Sequence, residues 1–206
     1  MPIENLFVTK IYRAPLGGRG WRDLNAQLKR AALSMASDDV AGQQWSRENG
    51  YCGYTSYGSP VELAWHMPEF EVLHQRLNAH IKTFCSDLDY DLAGRPLMLD
   101  GMWVNILRQG GAHAAHIHPH AVISGTYYVD VPQGGDAIRF EDPRLAMMMA
   151  APLRRPRASK ENKSFITIAP KAGMLLLWES WLRHDVPTNA SDHERISISF
   201  NYAQNT

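Results

Sequence analysis

With 206 residues the chain is long enough to close one core without covalent staples, so a single domain is expected, residues 1–95 supplying an N-terminal strand and supporting helices and 96–206 a β core. Its 21 basic and 21 acidic side chains cancel, which leaves no electrostatic footprint for nucleic acid or an anionic membrane surface, and no apolar run reaches membrane-spanning length. Two distant cysteines, Cys52 and Cys85, read as reduced thiols, and without a charged leader before an apolar core the cytoplasm is the expected location.

In chain order, alternation predicts a first strand over residues 6–12, and a modest stripe of Leu24, Leu28, Ala31 and Ala32 predicts a helix over 21–36. Residues 38–59, rich in Gly, Ser, Gln and Tyr, read as an irregular connection. Pro68 opens a stronger helix in which Phe70, Leu73, Leu77, Ile81 and Phe84 recur at three- and four-residue steps, a face suited to packing on a sheet. Its His74 and His80 read as helix-surface residues. From Leu97 onward strands dominate, at 102–107, 124–131, 137–140, 164–168, 174–178 and 195–202, with Gly, Pro and Asn between them. Residues 144–163 form an insertion that joins Met147, Met148 and Met149 to Arg154, Arg155, Arg157, Lys160 and Lys163, either a solvated loop or a lid over an acidic substrate. Short strands after N-terminal helices give an α+β fold, mainly β. The expected form is a double-stranded β-helix (jelly roll, cupin-like) with the N-terminal helices packed on the major sheet and a ligand cavity between the sheets.

Four of the nine histidines, His113, His116, His118 and His120, fall within eight positions. Neutral imidazole is the commonest protein metal ligand and suits Fe(II), Zn, Cu and Ni. A lone histidine beside a strand is more often a hydrogen-bonded core or surface residue, so the clustering is what favours a metal. In an extended segment His116 and His118 point the same way and can grip one ion, whereas Pro119 interrupts pairing before His120. His113, just after Gly110-Gly111, reads as a solvated loop residue. His184 is a third, distant imidazole, and the polar stretch 188–192 is expected to fold its strand into a hairpin with the last one. On that last strand Arg195, Ser197 and Ser199 share one face, opposite Ile196, Ile198 and Phe200. A guanidinium with a hydroxyl two residues on is a receptor for a carboxylate, the plainer reading being an exposed polar face. Asn105, Tyr127 and Tyr128 are polar groups in core strands and candidates for hydrogen bonds to a bound small molecule.

The segments His116-Ile117-His118-Pro119, Ser124-Gly125-Thr126-Tyr127-Tyr128-Val129, Phe140-Glu141-Asp142-Pro143-Arg144 and Trp178 through Asn201 cover most of the second half. Together with the looser Leu6-Phe7-Val8-Thr9 they resemble, in order, the HxHP, SGxYYV, FxDPR and WxSWLxHxVxxN…ERxSxSFN motifs of a 2-oxoglutarate/Fe(II)-dependent oxygenase family. The resemblance implies a dioxygenase that uses Fe(II) and the small-molecule cosubstrate 2-oxoglutarate to hydroxylate or otherwise oxidise an unidentified prime substrate. It makes His116, His118 and His184 the catalytic metal ligands, and Arg195 with Ser197 the holders of the distal carboxylate of 2-oxoglutarate. Asn105 and Tyr128 join them as candidate cosubstrate contacts. Most relatives bind iron through two histidines and one carboxylate, and this chain departs from them at His118, a third imidazole. Two alternatives therefore stay open: a three-histidine cupin-type dioxygenase that uses no 2-oxoglutarate, and a metal- or small-molecule-binding cupin module without turnover. Asp130, Glu141 or Asp142 could also complete the shell. Whether sheet edges pair into a homodimer is not decided by the sequence.

Overall fold

A computed structural model describes residues 3–59, 62–135 and 137–204. The helices are α1 (Trp21–Asp38), α2 (Val40–Glu48), α3 (Leu63–His66) and α4 (Pro68–Asp87). The strands are β1 (Tyr12–Pro15), β2 (Gly53–Thr55), β3 (Met98–Leu107), β4 (His113–His116), β5 (Ile123–Asp130), β6 (Ile138–Glu141), β7 (Phe165–Ile168), β8 (Met174–Glu179), β9 (His184–Val186) and β10 (Arg195–Ala203). They form a major antiparallel sheet in the order β1-β8-β5-β10-β3-β2 and a minor one in the order β4-β9-β6-β7. This is the double-stranded β-helix expected from the sequence, and no described helix is long and apolar enough to cross a membrane.

Strand alternation divides the core in two. On β10, β5 and β8 one set of side chains (Ile196, Ile198, Phe200, Tyr127, Val129, Leu175, Leu177) meets Leu24, Leu28, Phe70, Leu73, Leu77, Ile81 and Phe84 of α1 and α4. The alternate set (Tyr128, Met174, Leu176, Trp178) faces the minor sheet and packs with Ile138, Phe140 and Leu182. The helices thus back the major sheet and leave its other face free to form a cavity. Pro68 starts α4, with Glu69 and Glu71 in the first turn complementing the helix dipole. Gly125 is required by the close fit of β5: a Cβ there would lie 2.5 Å from the Phe200 ring and 2.6 Å from Leu177.

Three expectations are corrected. The first strand is Tyr12–Pro15, paired with β8 through Tyr12↔Leu177 to Pro15↔Met174; earlier, Leu6, Phe7 and Val8 are exposed, and Phe7 has φ 57°, which breaks an extended run. Residues 38–59 are ordered rather than irregular. Asp39 caps α2 by accepting a hydrogen bond from the Gly42 amide, and β2 adds to β3 through Gly53↔Leu107. The buried positions of α2 are Gly42 and Ser46, too small and polar to print a hydrophobic period. Finally, β9 and β10 are not a hairpin: β9 belongs to the minor sheet and β10 to the major one. Asn189 holds the crossing, its Nδ2 donating to the carbonyls of Leu107 at 3.0 Å and His193 at 3.1 Å while its Oδ1 accepts from the Ser191 amide.

Candidate active site

The antiparallel register of β4 and β9 sets His116 directly across from His184, and the turn after β4 returns His118 to the same place, its amide donating to the Ser180 carbonyl at 3.0 Å. The ring centroids lie 4.5 Å apart for His116 and His184, 5.0 Å for His116 and His118, and 5.2 Å for the stacked pair His118 and His184. One nitrogen from each ring lies within 4.8 Å of those of the others. His116 Nδ1 is 2.7 Å from the Ala114 carbonyl and His184 Nδ1 is 2.9 Å from that of Leu182, contacts in which only an N–H can donate. In both rings Nε2 therefore keeps its lone pair. Nε2 of His118 and Nε2 of His184 are 3.3 Å apart, close to the separation of two neighbouring ligand atoms each ~2.1 Å from one ion. Burial drives two of the imidazoles toward the neutral form that binds metal: His118 is lowered to about 3 by desolvation and then by His184 and His116, and His184 to about 4 by desolvation foremost. His120 is exposed, with a left-handed φ of 71°, and stands outside the group.

Across the cavity, β10 presents Arg195, Ser197 and Ser199, with Tyr128 beside Ser197 on the neighbouring β5. Arg195 is only 4% exposed, and its Cζ lies 5.2 Å from the centre of the Tyr128 ring. No ion pair joins it to a described carboxylate. Its Nε, the hydroxyl of Tyr128 and the indole Nε1 of Trp178 are all buried without a hydrogen-bond partner. Orphaned buried donors are rare, and a buried guanidinium without an anion costs several kcal/mol, about what an anionic ligand in this cavity would recover. Asn105 lies behind the wall: its Oδ1 accepts from Thr55 Oγ1 at 2.9 Å and its Nδ2 donates to Ser199 Oγ at 3.1 Å.

No described carboxylate lines the cavity. The three acidic candidates are engaged elsewhere, Asp130 with Lys29, Glu141 with Arg183 and Asp142 with Arg144. The insertion at 144–163 contributes no lining residue, and its Met149 and Leu153 are almost fully exposed.

His113 corrects the sequence reading. It is a β4 residue that lines the cavity rather than a solvated loop residue, and burial, then Arg195, hold its pKa at about 3. The register of β4 shifts between His113 and His116, and this irregularity brings residues of opposite parity to one face. Its partner Tyr51, whose hydroxyl lies 2.8 Å from His113 Nε2, sits in a stretch that carried no periodic signal. Trp103, 5.9 Å from the His118 ring, completes the wall.

The profile of a family described as "Putative 2OG-Fe(II) oxygenase" matches residues 101–201, nearly the whole span from β3 to β10 and every strand that supplies the histidines and Arg195. Over this β core the chain matches the 2OG-Fe(II) oxygenases. As a 2OG-Fe(II) oxygenase it is an enzyme, an oxidoreductase of a family that uses 2-oxoglutarate as cosubstrate. No curated protein matches it in sequence. Among solved structures it is similar to EctD from S. alaskensis, in a structure with 2-oxoglutarate and 5-hydroxyectoine, at 12% identity and TM-score 0.65, over 95% of this chain and 72% of that one. It is also similar to AviO1 from Streptomyces viridochromogenes Tue57, at 13% identity and TM-score 0.62, over 95% and 90%. A third is an oxidoreductase of the 2OG-Fe(II) oxygenase family from Burkholderia pseudomallei, at 14% identity and TM-score 0.50, over 68% of this chain and 60% of the length of that one. At these identities the likeness is one of fold. The cavity fits the cofactors of a 2OG-Fe(II) oxygenase in its donor set, three imidazole nitrogens facing one point and an unpaired cation beside orphaned donors.

Proposed function

We propose that this oxygenase binds Fe(II) through His116, His118 and His184, holds 2-oxoglutarate with Arg195, Ser197 and Tyr128, and hydroxylates or otherwise oxidises a prime substrate whose identity is open. The observation that carries the reading is Arg195, a buried cation without an anion, sharing one cavity with three imidazoles.

Iron and 2-oxoglutarate, when bound, would supply the oxidising chemistry. The chain's own residues do the rest. His116, His118 and His184 would hold the ion from one part of the cavity wall and leave room beside it for the cosubstrate. The planar fork of Arg195 takes both oxygens of the distal carboxylate, and the Ser197 hydroxyl adds a third donor. Burial raises the Tyr128 pKa, so its hydroxyl stays protonated and able to donate. Ile138, Val186 and Trp178 form apolar walls that exclude water. Asn105 supports Ser199 from behind rather than meeting the ligand.

An all-imidazole set also suits a three-histidine dioxygenase that uses no keto acid, but such an enzyme has no use for the unpaired Arg195. The free thiols Cys52 and Cys85 fit the reducing conditions of a cytoplasmic location. Calorimetric titration of 2-oxoglutarate into metal-loaded protein without oxygen tests the reading. Arg195→Met should weaken binding on the order of 100-fold, since charge-assisted hydrogen bonds contribute about 1.5–3 kcal/mol each, while metal stoichiometry is kept. Unchanged affinity would remove the assigned role.

A further inference from the structure

We infer that His113 is a second binding residue for the distal carboxylate of the keto acid, donating to it from the minor sheet as Arg195 does from the major one, and that Tyr51 positions it. This rests on the reading of the cavity as a 2-oxoglutarate pocket.

The two sheets give the cavity a long axis. At one end His116, His184 and His118 meet beside Trp103, which pairs with Ser199. Toward the other end, Arg195 pairs with Leu107, and Leu107 pairs in turn with Gly53, two residues from Tyr51. His113 pairs with Val186, farther along β4 and β9 than the His116↔His184 pair. Tyr51 and His113 therefore lie toward the guanidinium end, and Arg195 is the charge that weighs most on both.

Contact lengths decide which way the Tyr51 proton points and hence where the ring proton lies. The Tyr51 hydroxyl has one hydrogen and two neighbours: His113 Nε2 at 2.8 Å and Asn105 Oδ1 at 3.4 Å. The shorter contact takes it, because 3.4 Å lies beyond the usual O–H···O range and 2.8 Å is an ordinary hydrogen-bond length. Nε2 of His113 is then the acceptor, which puts the ring hydrogen on Nδ1, a nitrogen with no hydrogen-bond partner among the described residues. Burial pushes the Tyr51 pKa up, so the phenol keeps the proton on which this arrangement depends. A neutral imidazole with a free N–H suits an anionic oxygen and adds no second cation beside Arg195.

The test compares two keto acids on Fe(II)-loaded protein under nitrogen: 2-oxoglutarate, and 2-oxovalerate, which keeps the chelating end but lacks the distal carboxylate. His113→Leu should raise the dissociation constant of 2-oxoglutarate roughly tenfold and leave that of 2-oxovalerate and the iron content unchanged. His113→Asn, which can place an amide N–H near the position of Nδ1, should recover part of the loss. Tyr51→Phe should cost several-fold for 2-oxoglutarate alone. Equal penalties for both keto acids would assign His113 and Tyr51 to packing and overturn the inference, as would no penalty for either. Iron-loaded wild-type protein that binds neither compound would instead overturn the 2-oxoglutarate reading itself, so the two failures are told apart.

Discussion

His116 and His184 each give a ring hydrogen to a carbonyl two residues back, those of Ala114 and Leu182, and this small local geometry aims both Nε2 lone pairs at one point. Truncating His184 to alanine removes the most buried of the three donors. Metal analysis after dialysis should show iron falling from one equivalent to near none, and retained stoichiometric iron would exclude it as a ligand. Titration of three cavity histidines sets a pH dependence. His113, His118 and His184 have folded-state values of about 3, 3 and 4 against 6.5 unfolded. Because folding favours their neutral forms, their contribution is complete above 6.5 and is lost as pH falls, down to about 4 for His184 and about 3 for His113 and His118. Metal-free protein should melt at a lower temperature at each step down that range, and the fall should be shallower in His118→Leu; identical profiles would contradict the assignment. Most of the site was legible at this scale because histidines two apart and an arginine in an alternating strand are chemically conspicuous. His113 was not, because the break in β4 register that turns it inward leaves no mark in side-chain spacing.

Among elements, the crossing from β9 to β10 matters most, since it joins the strand carrying His184 to the strand carrying Arg195. Asn189 is 1% exposed and satisfies three backbone groups there, including the end of β3 at Leu107. Asn189→Ala leaves these groups unpaired, and chemical denaturation should report a loss of about 1–3 kcal/mol; unchanged stability would show that other contacts hold the crossing. The polar run 188–192 announced a turn but not its destination, because turn residues look alike whether the next strand joins the same sheet or the facing one. The apolar stripe of α4 was readable for the opposite reason. Phe70, Leu73, Leu77, Ile81 and Phe84 are all buried on the major sheet, so their period survives in sequence, whereas α2 buries Gly42 and Ser46 and shows none.

For the whole molecule, the division of labour between sheet faces explains how a chain of zero net charge keeps an uncancelled cation in its interior. One face of the major sheet is spent on α1 and α4, and the other carries Arg195 toward the imidazoles of the minor sheet, with no described carboxylate in the wall to cancel it. The jelly roll was legible as a count of short strands after helices, while its strand order was not, since only three-dimensional pairing places β10 between β5 and β3. The central claim, that iron and a keto acid meet in this cavity, is tested most directly by anaerobic titration of Fe(II)-loaded protein with 2-oxoglutarate in a visible spectrometer. Chelation of iron by the keto acid should produce a charge-transfer band that saturates at one equivalent and is absent from His184→Ala. Full iron loading with no band at any concentration would contradict the account and return the three-histidine site to a dioxygenase or a binding module that uses no keto acid.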